Sequence, residues 1–513
     1  MMTSHFKFAI VPAATTLLVL TGCMVGPKYH TPPATTQAPP PPAYKETPSQ
    51  TQDAGDWKVA QPQDAMLRGK WWEIYNEPEL NDLEEKLGID NQNIKVFFQN
   101  FMEARTLIAQ ARSQLYPTVG TAPSFTRSRS SANVGTAFTS TGAGQVVSTG
   151  TQTSIGTLPL SISWEPDLWG RVRNQIREEQ YNSQLNAADL ENERLTEQAT
   201  LAATYFELRG QDALAALYQS TVDADQKAYD IARSGYEAGV SDQITVVQAQ
   251  NTLQNVQSTL TNLGVARAQY EHAIAMLIGA NPSTFSMPVK PLAATAPPIP
   301  LGMPTQLLER RPDVAATERA MAAANAQIGI AVAAYYPSLT LSAEGGLESS
   351  TWKHLFDWPS RFWSVGPTVS ETFYDAGLRR ATVRQYTATY NADVANYRQT
   401  VLVAFQQVED SLAATRILSK QLVQQQEAVE SANKFLELEM GRYNTGIDPY
   451  VNVVTAQTTL LSDQQSLASL HTQQMVASVQ LIEALGGGWD ISQLPTPAEV
   501  SKKIAKDEIT IQK

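Results

Sequence analysis

Two long stretches of this chain carry one pattern in a single gapless register. Tyr236-Glu237-Ala238-Gly239-Val240 returns as Tyr443-Asn444-Thr445-Gly446-Ile447, an offset of 207 residues from Gly239 to Gly446. At the same offset Arg173 falls on Arg380, Arg177 on Arg384, Arg209 on Arg416, Val246-Val247 on Val453-Val454, Leu253 on Leu460 and Gly279 on Gly486. Chance matches drift out of phase, so a register held this long is duplication of one structural unit. A second block, Ile108 to Tyr116-Pro117, matches Ile328 to Tyr336-Pro337 at an offset of 220. From the Tyr-Pro proline to the next shared glycine there are 53 residues in the first half (Pro117 to Gly170) and 40 in the second (Pro337 to Gly377). Each half therefore holds the same insertion, and only its length differs.

The insertions read as β-hairpins, at about 117–168 and 337–376. Leu158, Leu160, Ile162 and Trp164 alternate with Ser161 and Ser163, and Leu339, Leu341 and Ala343 are answered by Val365, Pro367 and Val369. Period two with small polar residues on the other face is a strand pattern with one apolar side. Gly135 to Gly150 supplies an exposed loop in the first hairpin, and Gly345-Gly346 with Trp352 to Trp363 the turn in the second. Arms of about ten residues are the length a tilted strand needs to cross hydrocarbon. Four strands left open in lipid would have unpaired edge groups, so a membrane reading requires closure with other chains. The competing reading, surface loops of a soluble helical protein, does not explain two alternating insertions at equivalent repeat positions.

Around the hairpins the chain is helical. Arg171 to about Tyr236 and Leu378 to about Tyr443 lack proline, and each would run roughly 100 Å at 1.5 Å per residue. Their return segments, Asp242 to Gly279 and Tyr450 to Gly486, are much shorter. The segments entering the hairpins, about Glu79 to Tyr116 and Arg311 to Tyr336, have the size to fill the remaining length end to end. The expected unit is one long helix beside two stacked short ones, twice per chain. Narrow apolar stripes, as around Gln421-Leu422-Val423-Gln424-Gln425-Gln426, suit a wall wet on both sides and packed along seams. Gly55 to Asn76, Asn281 to Thr305 and Gly487 to Lys513 fall where short helices meet and read as a belt.

A net charge of −12 without a Lys/Arg run argues against nucleic acid. Five dispersed histidines, with no G-x-S-x-G, phosphate-loop, dinucleotide or H-E-x-x-H pattern, argue against an enzyme, and no cofactor is expected. The single cysteine, Cys23, excludes an internal disulfide. Lys7 and the apolar run Phe8 to Leu20 precede Leu20-Thr21-Gly22-Cys23, an n-region and h-region too short to span a bilayer. Leu20 to Cys23 resembles the lipobox of bacterial lipoproteins, which implies cleavage before Cys23 and lipid on its thiol. Met24 follows, where aspartate holds many lipoproteins at the inner membrane, so the resemblance implies the outer membrane. Thr31 to Thr51, centred on Pro39 to Pro42, reads as an extended tether with no core-packing capacity.

Beside the lipobox, four segments in order resemble one family over nearly the whole chain: Cys23 to Tyr29, Trp71 to Tyr75, Trp164-Glu165-Pro166-Asp167-Leu168-Trp169-Gly170-Arg171, and Arg310-Arg311-Pro312-Asp313-Val314. The family is the outer-membrane efflux lipoproteins of the NodT/OprM type, relatives of TolC. The resemblance implies an α+β membrane channel, a TolC-like homotrimer with four strands per chain in a shared 12-stranded barrel and a long coiled-coil tunnel in the periplasm. It implies an exit duct for drugs or other small molecules, partnered by a periplasmic adaptor and an inner-membrane transporter of the RND type. An outer-membrane factor of type I protein secretion, or a structural coiled-coil lipoprotein, are the alternatives.

Residue by residue, it makes Tyr236, Gly239, Val240, Ser241, Tyr443, Gly446 and Ile447 an adaptor-docking tip, although both glycines also fit a turn needing positive φ. The gate set is Val451, Asn452, Thr455, Asp448, Gln248 and Asp242. Relatives often carry an aspartate ring where this chain has Thr455 and Gln248, so the expected closure is apolar or neutral around Val451, and Asp448 and Asp242 are equally readable as helix caps. The expected division is 1–22 lipoprotein signal peptide, 23–54 lipidated N-terminus and tether, 55–280 first repeat, 281–310 linker, 311–486 second repeat and 487–513 C-terminal belt.

Overall fold

The computed structural model describes residues 24–35, 43–46, 69–131, 152–293, 295–299 and 306–503. Cys23, the signal segment, Pro39 to Pro42, the Gly135 to Gly150 loop and parts of the belt lie outside them.

Two helices dominate, α3 (Arg171–Glu237) and α7 (Leu378–Asn444), each of 67 residues. They start and stop at repeat-equivalent positions. Each opens after a glycine with positive φ, Gly170 and Gly377, which cannot cap through a side chain. The preceding aspartate does so instead. Asp167 accepts from the Val172 and Arg173 N–H groups, and Asp375 from those of Gly377 and Arg379. The return helices are α4 (Gln243–Leu277) and α8 (Tyr450–Ala484), 35 residues each. To keep chain order, α1 is Pro78–Asp90, α2 Gln92–Ser113, α5 Leu307–Arg310, α6 Pro312–Ala333 and α9 Pro497–Val500.

The segment read as one helix from Glu79 to Tyr116 is two, broken at Asn91. The Asn91 side chain accepts from the Ile94 N–H and so starts α2 as a new helix.

The strands are β1 (Thr118–Thr121), β2 (Ser124–Arg129), β3 (Gln152–Trp164), β4 (Ser338–Ser349) and β5 (Arg361–Ser370). β1 and β2 together form the first hairpin arm, both pairing with β3, and Ala122-Pro123 divides them because proline has no N–H for the ladder. Four arms thus become five strands. They form one antiparallel sheet, β3 pairing with β4 and β4 with β5. The register lines Val119, Ile162, Ala343 and Val365 straight across it, with Leu160, Gly345 and Trp363 on the next row of the same face. The opposite face carries Ser161, Glu344 and Ser364. The apolar face is exposed in the chain alone, at Val119, Leu160, Val365 and Val369 among others. Among the described residues no helix is long and apolar enough to cross a membrane.

The core sits where helices meet the belt. Trp71, Trp72, Leu80, Leu201, Tyr205, Phe206, Ile274, Met321, Val401, Val408 and Ile482 belong to one buried cluster.

Candidate functional site

Three levels of this rod carry the residues singled out by sequence: the foot of the sheet, a joint halfway along the helices, and the turns at the far end.

At the foot, the Trp164 to Arg171 motif is a bracket. Trp169 stacks on Tyr336 with centroids 4.7 Å apart, and its indole N–H donates to the Pro337 carbonyl at 2.7 Å. The Trp164 indole donates to Leu115 O at 3.0 Å. The first hairpin is thereby tied to the end of the helix that feeds it, and its exit to the start of the second hairpin. Onto this bracket docks the N-terminal segment. Val25 N–H donates to Trp169 O, the Asn174 amide to Val25 O, and the Asn325 amide to Pro27 O. Gly26 lies so close to Gly329 that a Cβ would stand 2.6 Å from its Cα.

The segment expected to be an unpacked tether is therefore held down wherever it is described. Tyr29 donates to Glu318, and Tyr44 is 3% exposed in the main core. The Glu409 carboxylate accepts from the Lys45 and Glu46 N–H groups, while Arg416 donates to Glu46 at 2.7 Å. Composition gave no sign of this, because backbone N–H and carbonyl groups make most of these contacts.

The joint is the same construction twice. Asn91 donates to Leu277 O at 2.9 Å, and Arg311 donates to Ala484 O at 3.0 Å. The donors are related by the 220 offset and the acceptors by 207. Beside each, a glycine of positive φ ends the return helix against backbone. A Cβ on Gly279 would stand 2.6 Å from Asp90 O, and one on Gly486 2.0 Å from Arg310 O. The free carbonyls at the end of each return helix thus receive donors from the start of the next short helix, which stacks the two end to end.

Next to the first joint lies a buried charge hub that sequence reasoning missed. Arg209 is 2% exposed and Asp212 0%, 3.0 Å apart. Arg209 also reaches Glu79 at 2.6 Å and Pro288 O at 2.7 Å, and Asp212 takes Arg267 at 2.7 Å and the Lys290 N–H. The hub clamps the linker to α3. Its repeat counterpart, Arg416, does the same to the N-terminal segment through Glu46. The only sequence signal was the Arg209–Arg416 match.

At the tips, the two turns share their hydrogen bonds. Gly239 and Gly446 have φ of 78° and 73°, and their N–H groups donate to Tyr236 O and Tyr443 O. Val240 and Ile447 project into solvent, and Tyr236 and Ser241 flank the first turn. Tyr443 is half-buried against Tyr450, centroids 5.3 Å apart. Beyond this the tips differ. Asp242 caps α4 through the Thr245 N–H and hydroxyl, which hold its carboxyl below the usual range. Its counterpart in the second tip is Pro449. Asp448 does not cap α8 but pairs with Arg442, whose guanidinium holds its carboxyl below the usual range.

Val451 is 45% exposed on the first turn of α8, with Asn452 half-buried beside it. Thr455 lies one turn on, its hydroxyl donating to Val451 O at 2.9 Å, and Gln248 sits half-buried on α4. Among the described residues no three His, Cys, Asp or Glu side chains assemble as a metal site.

A duplicated helical wall carrying a β-hairpin on each copy is the architecture of an outer-membrane channel subunit. The chain belongs to the outer membrane efflux protein family, which it matches over residues 86–280 and 303–487, one stretch per repeat. It is 32% identical over 498 residues to the solvent efflux pump outer membrane protein SrpC of Pseudomonas putida, covering 95% of this chain and all of the relative. To the outer membrane protein OprJ of Pseudomonas aeruginosa it is 27% identical, over 88% of this chain and 92% of that one. The outer-membrane channel OprN superimposes with a TM-score of 0.79 at 25% identity, over 91% of this chain and 100% of that one. The Campylobacter jejuni CmeC outer membrane channel, at 19% identity, shares the fold with a TM-score of 0.80 over 94% of this chain and 100% of its own.

Proposed function

We propose that three copies of this chain close into an outer-membrane duct through which an inner-membrane transporter, coupled by a periplasmic adaptor, expels small molecules. One observation carries the reading. Among the described residues α3 packs on the helices α2 and α4 and also on α6 and α8, whereas the helices packed substantially on α7 are α6 and α8. By the repeat, the uncovered flank of α7 is the flank with which α3 meets the next sector. A second copy presenting α2 and α4 fills it, and the open edges of the sheet, β1 with β2 on one side and β5 on the other, close by the same operation. Four arms per chain give a 12-stranded barrel, with the Val119–Val365 face toward lipid and the Glu344 face toward the lumen.

In this reading residues 1–22 direct export and Cys23 carries the lipid at the barrel foot, where Met24 already packs on Gly170. Residues 55–280 and 311–486 are the two sectors, 281–310 and 487–513 the belt. The relative named for solvent efflux suggests apolar cargo. The tip residues Tyr236, Gly239, Val240, Ser241, Tyr443, Gly446 and Ile447 form the adaptor surface, with Val240 and Ile447 as its apolar points. Val451 is the constriction, bordered by Asn452, Thr455 and Gln248. Asp242 and Asp448 serve their own turns and do not form an ionisable ring.

Val451→Ser is expected to raise single-channel conductance in planar bilayers, and antibiotic uptake in cells, severalfold. Unchanged values for both would remove Val451 from the gate.

A further inference from the structure

The seam between the two helical hairpins of one chain, α3 against α8, buries a carboxyl oxygen that no described donor reaches. Asp225 on α3 is 4% exposed and its Oδ2 has no hydrogen-bond partner. The seam's register is set on either side of it. Tyr218 OH donates to Gln465 Oε1 at 3.0 Å, and Ala232 is buried in one cluster with Tyr450 and Val453. Tyr218, Asp225 and Ala232 are seven residues apart, hence on one face of α3. Asp225 thus lies level with the turn of α8 around Gln457, whose Oε1 is also buried without a partner.

No neighbouring element supplies a counter-charge. From Gln243 to Ala266, α4 has no ionisable side chain. On α8, Tyr450 lies near Asp225, and Asp463 accepts from Gln425 of α7. On α7, Tyr443 is packed on Tyr450, Lys434 pairs with Glu437 and Arg442 with Asp448. On α3 itself Asp223, Lys227 and Asp230 point to solvent.

The duplication provides an internal control. The repeat counterpart of Asp225 is Ala432, also buried. The equivalent position of the other long helix is therefore filled by a methyl group in place of a carboxyl.

We infer that Asp225 is a built-in weak point of the seam between the two hairpins, favouring their separation when ionised and their closure when protonated. The inference rests on the duct reading above. Burial pushes the Asp225 carboxyl up to about 6, while in a parted, wetted seam it returns to roughly 3.9. The closed seam therefore binds the proton more tightly. Closure is fully favoured below about pH 4, weakens as pH rises through about 6, and is unchanged by further rise.

The test is planar-bilayer recording of the full lipidated protein and of Asp225→Ala and Asp225→Asn from pH 4.5 to 7.5. Wild-type open probability is expected to rise about tenfold across that range, and both variants to stay flat, at or below the wild-type level at pH 4.5. Wild-type gating without pH dependence, or variants that gate like wild type, would overturn the inference. Absence of wild-type channels at every pH would instead overturn the duct reading. In a protein that opens at pH 7.5, Ala232→Cys with Val453→Cys, bridged by a short cleavable dithiol linker, should lose those openings and regain them on cleavage. Openings that persist in the bridged protein would also contradict the inference.

Discussion

Gly486→Ala is expected to prevent the chain from reaching a stable assembled state. The added Cβ would stand 2.0 Å from the Arg310 carbonyl oxygen, and that oxygen belongs to backbone that cannot move aside as a flexible side chain would. The residue must also keep a φ of 93°, which an L side chain resists. Strain and overpacking together cost on the order of 3–5 kcal/mol, a large share of a typical protein's stability. Arg311 would lose its register with Ala484 O, so the stacked helices of the second sector would separate at their joint. Gly279→Ala should act the same way but less severely, since its Cβ has 2.6 Å to Asp90 O. Thermal unfolding of the detergent-extracted proteins checks both. Equal melting of Gly486→Ala and wild type would mean that the joint is not the rigid point described.

Arg209→Ala should also be costly, by a different route. Removing the guanidinium leaves Asp212, fully buried, with Arg267 and the Lys290 N–H only, and strips Pro288 O of its donor. Breaking a buried pair from one side costs about 3–5 kcal/mol because the surviving charge stays desolvated. Arg416→Ala is expected to cost about 1 kcal/mol or less, since the Arg416–Glu46 pair is partly exposed. The contrast separates hub from bystander, and denaturation midpoints of the two variants measure it. Equal losses would show that burial is not what gives Arg209 its weight.

How far the fold was legible depends on which residues carried a periodic signal. The long helices, the turns at Gly239 and Gly446 and the hairpin positions all follow from a pattern written twice. At the break, the local cap of Asn91 on the Ile94 N–H could have been read from the asparagine, whereas its bond to Leu277 O, 186 residues away, could not. The division of the first hairpin arm could have been read from Pro123. Nothing in the Pro/Thr/Gln-rich start indicated that Tyr44 would be buried, since Glu409 holds that segment through backbone N–H groups. At the tips, Asp242 and Asp448 were each readable as gate or cap. In the structure Asp242 caps α4, and Asp448 pairs with Arg442 without capping α8. Asp225 was invisible from sequence, because only the packing of α3 on α8 marks it off from the exposed acids around it.

The central claim is that one chain supplies two of six near-equivalent sectors. Native mass measurement of the particle extracted from outer membranes in mild detergent tests this most directly. The account predicts a particle of three chains; a predominant particle of one, two or four chains would contradict it.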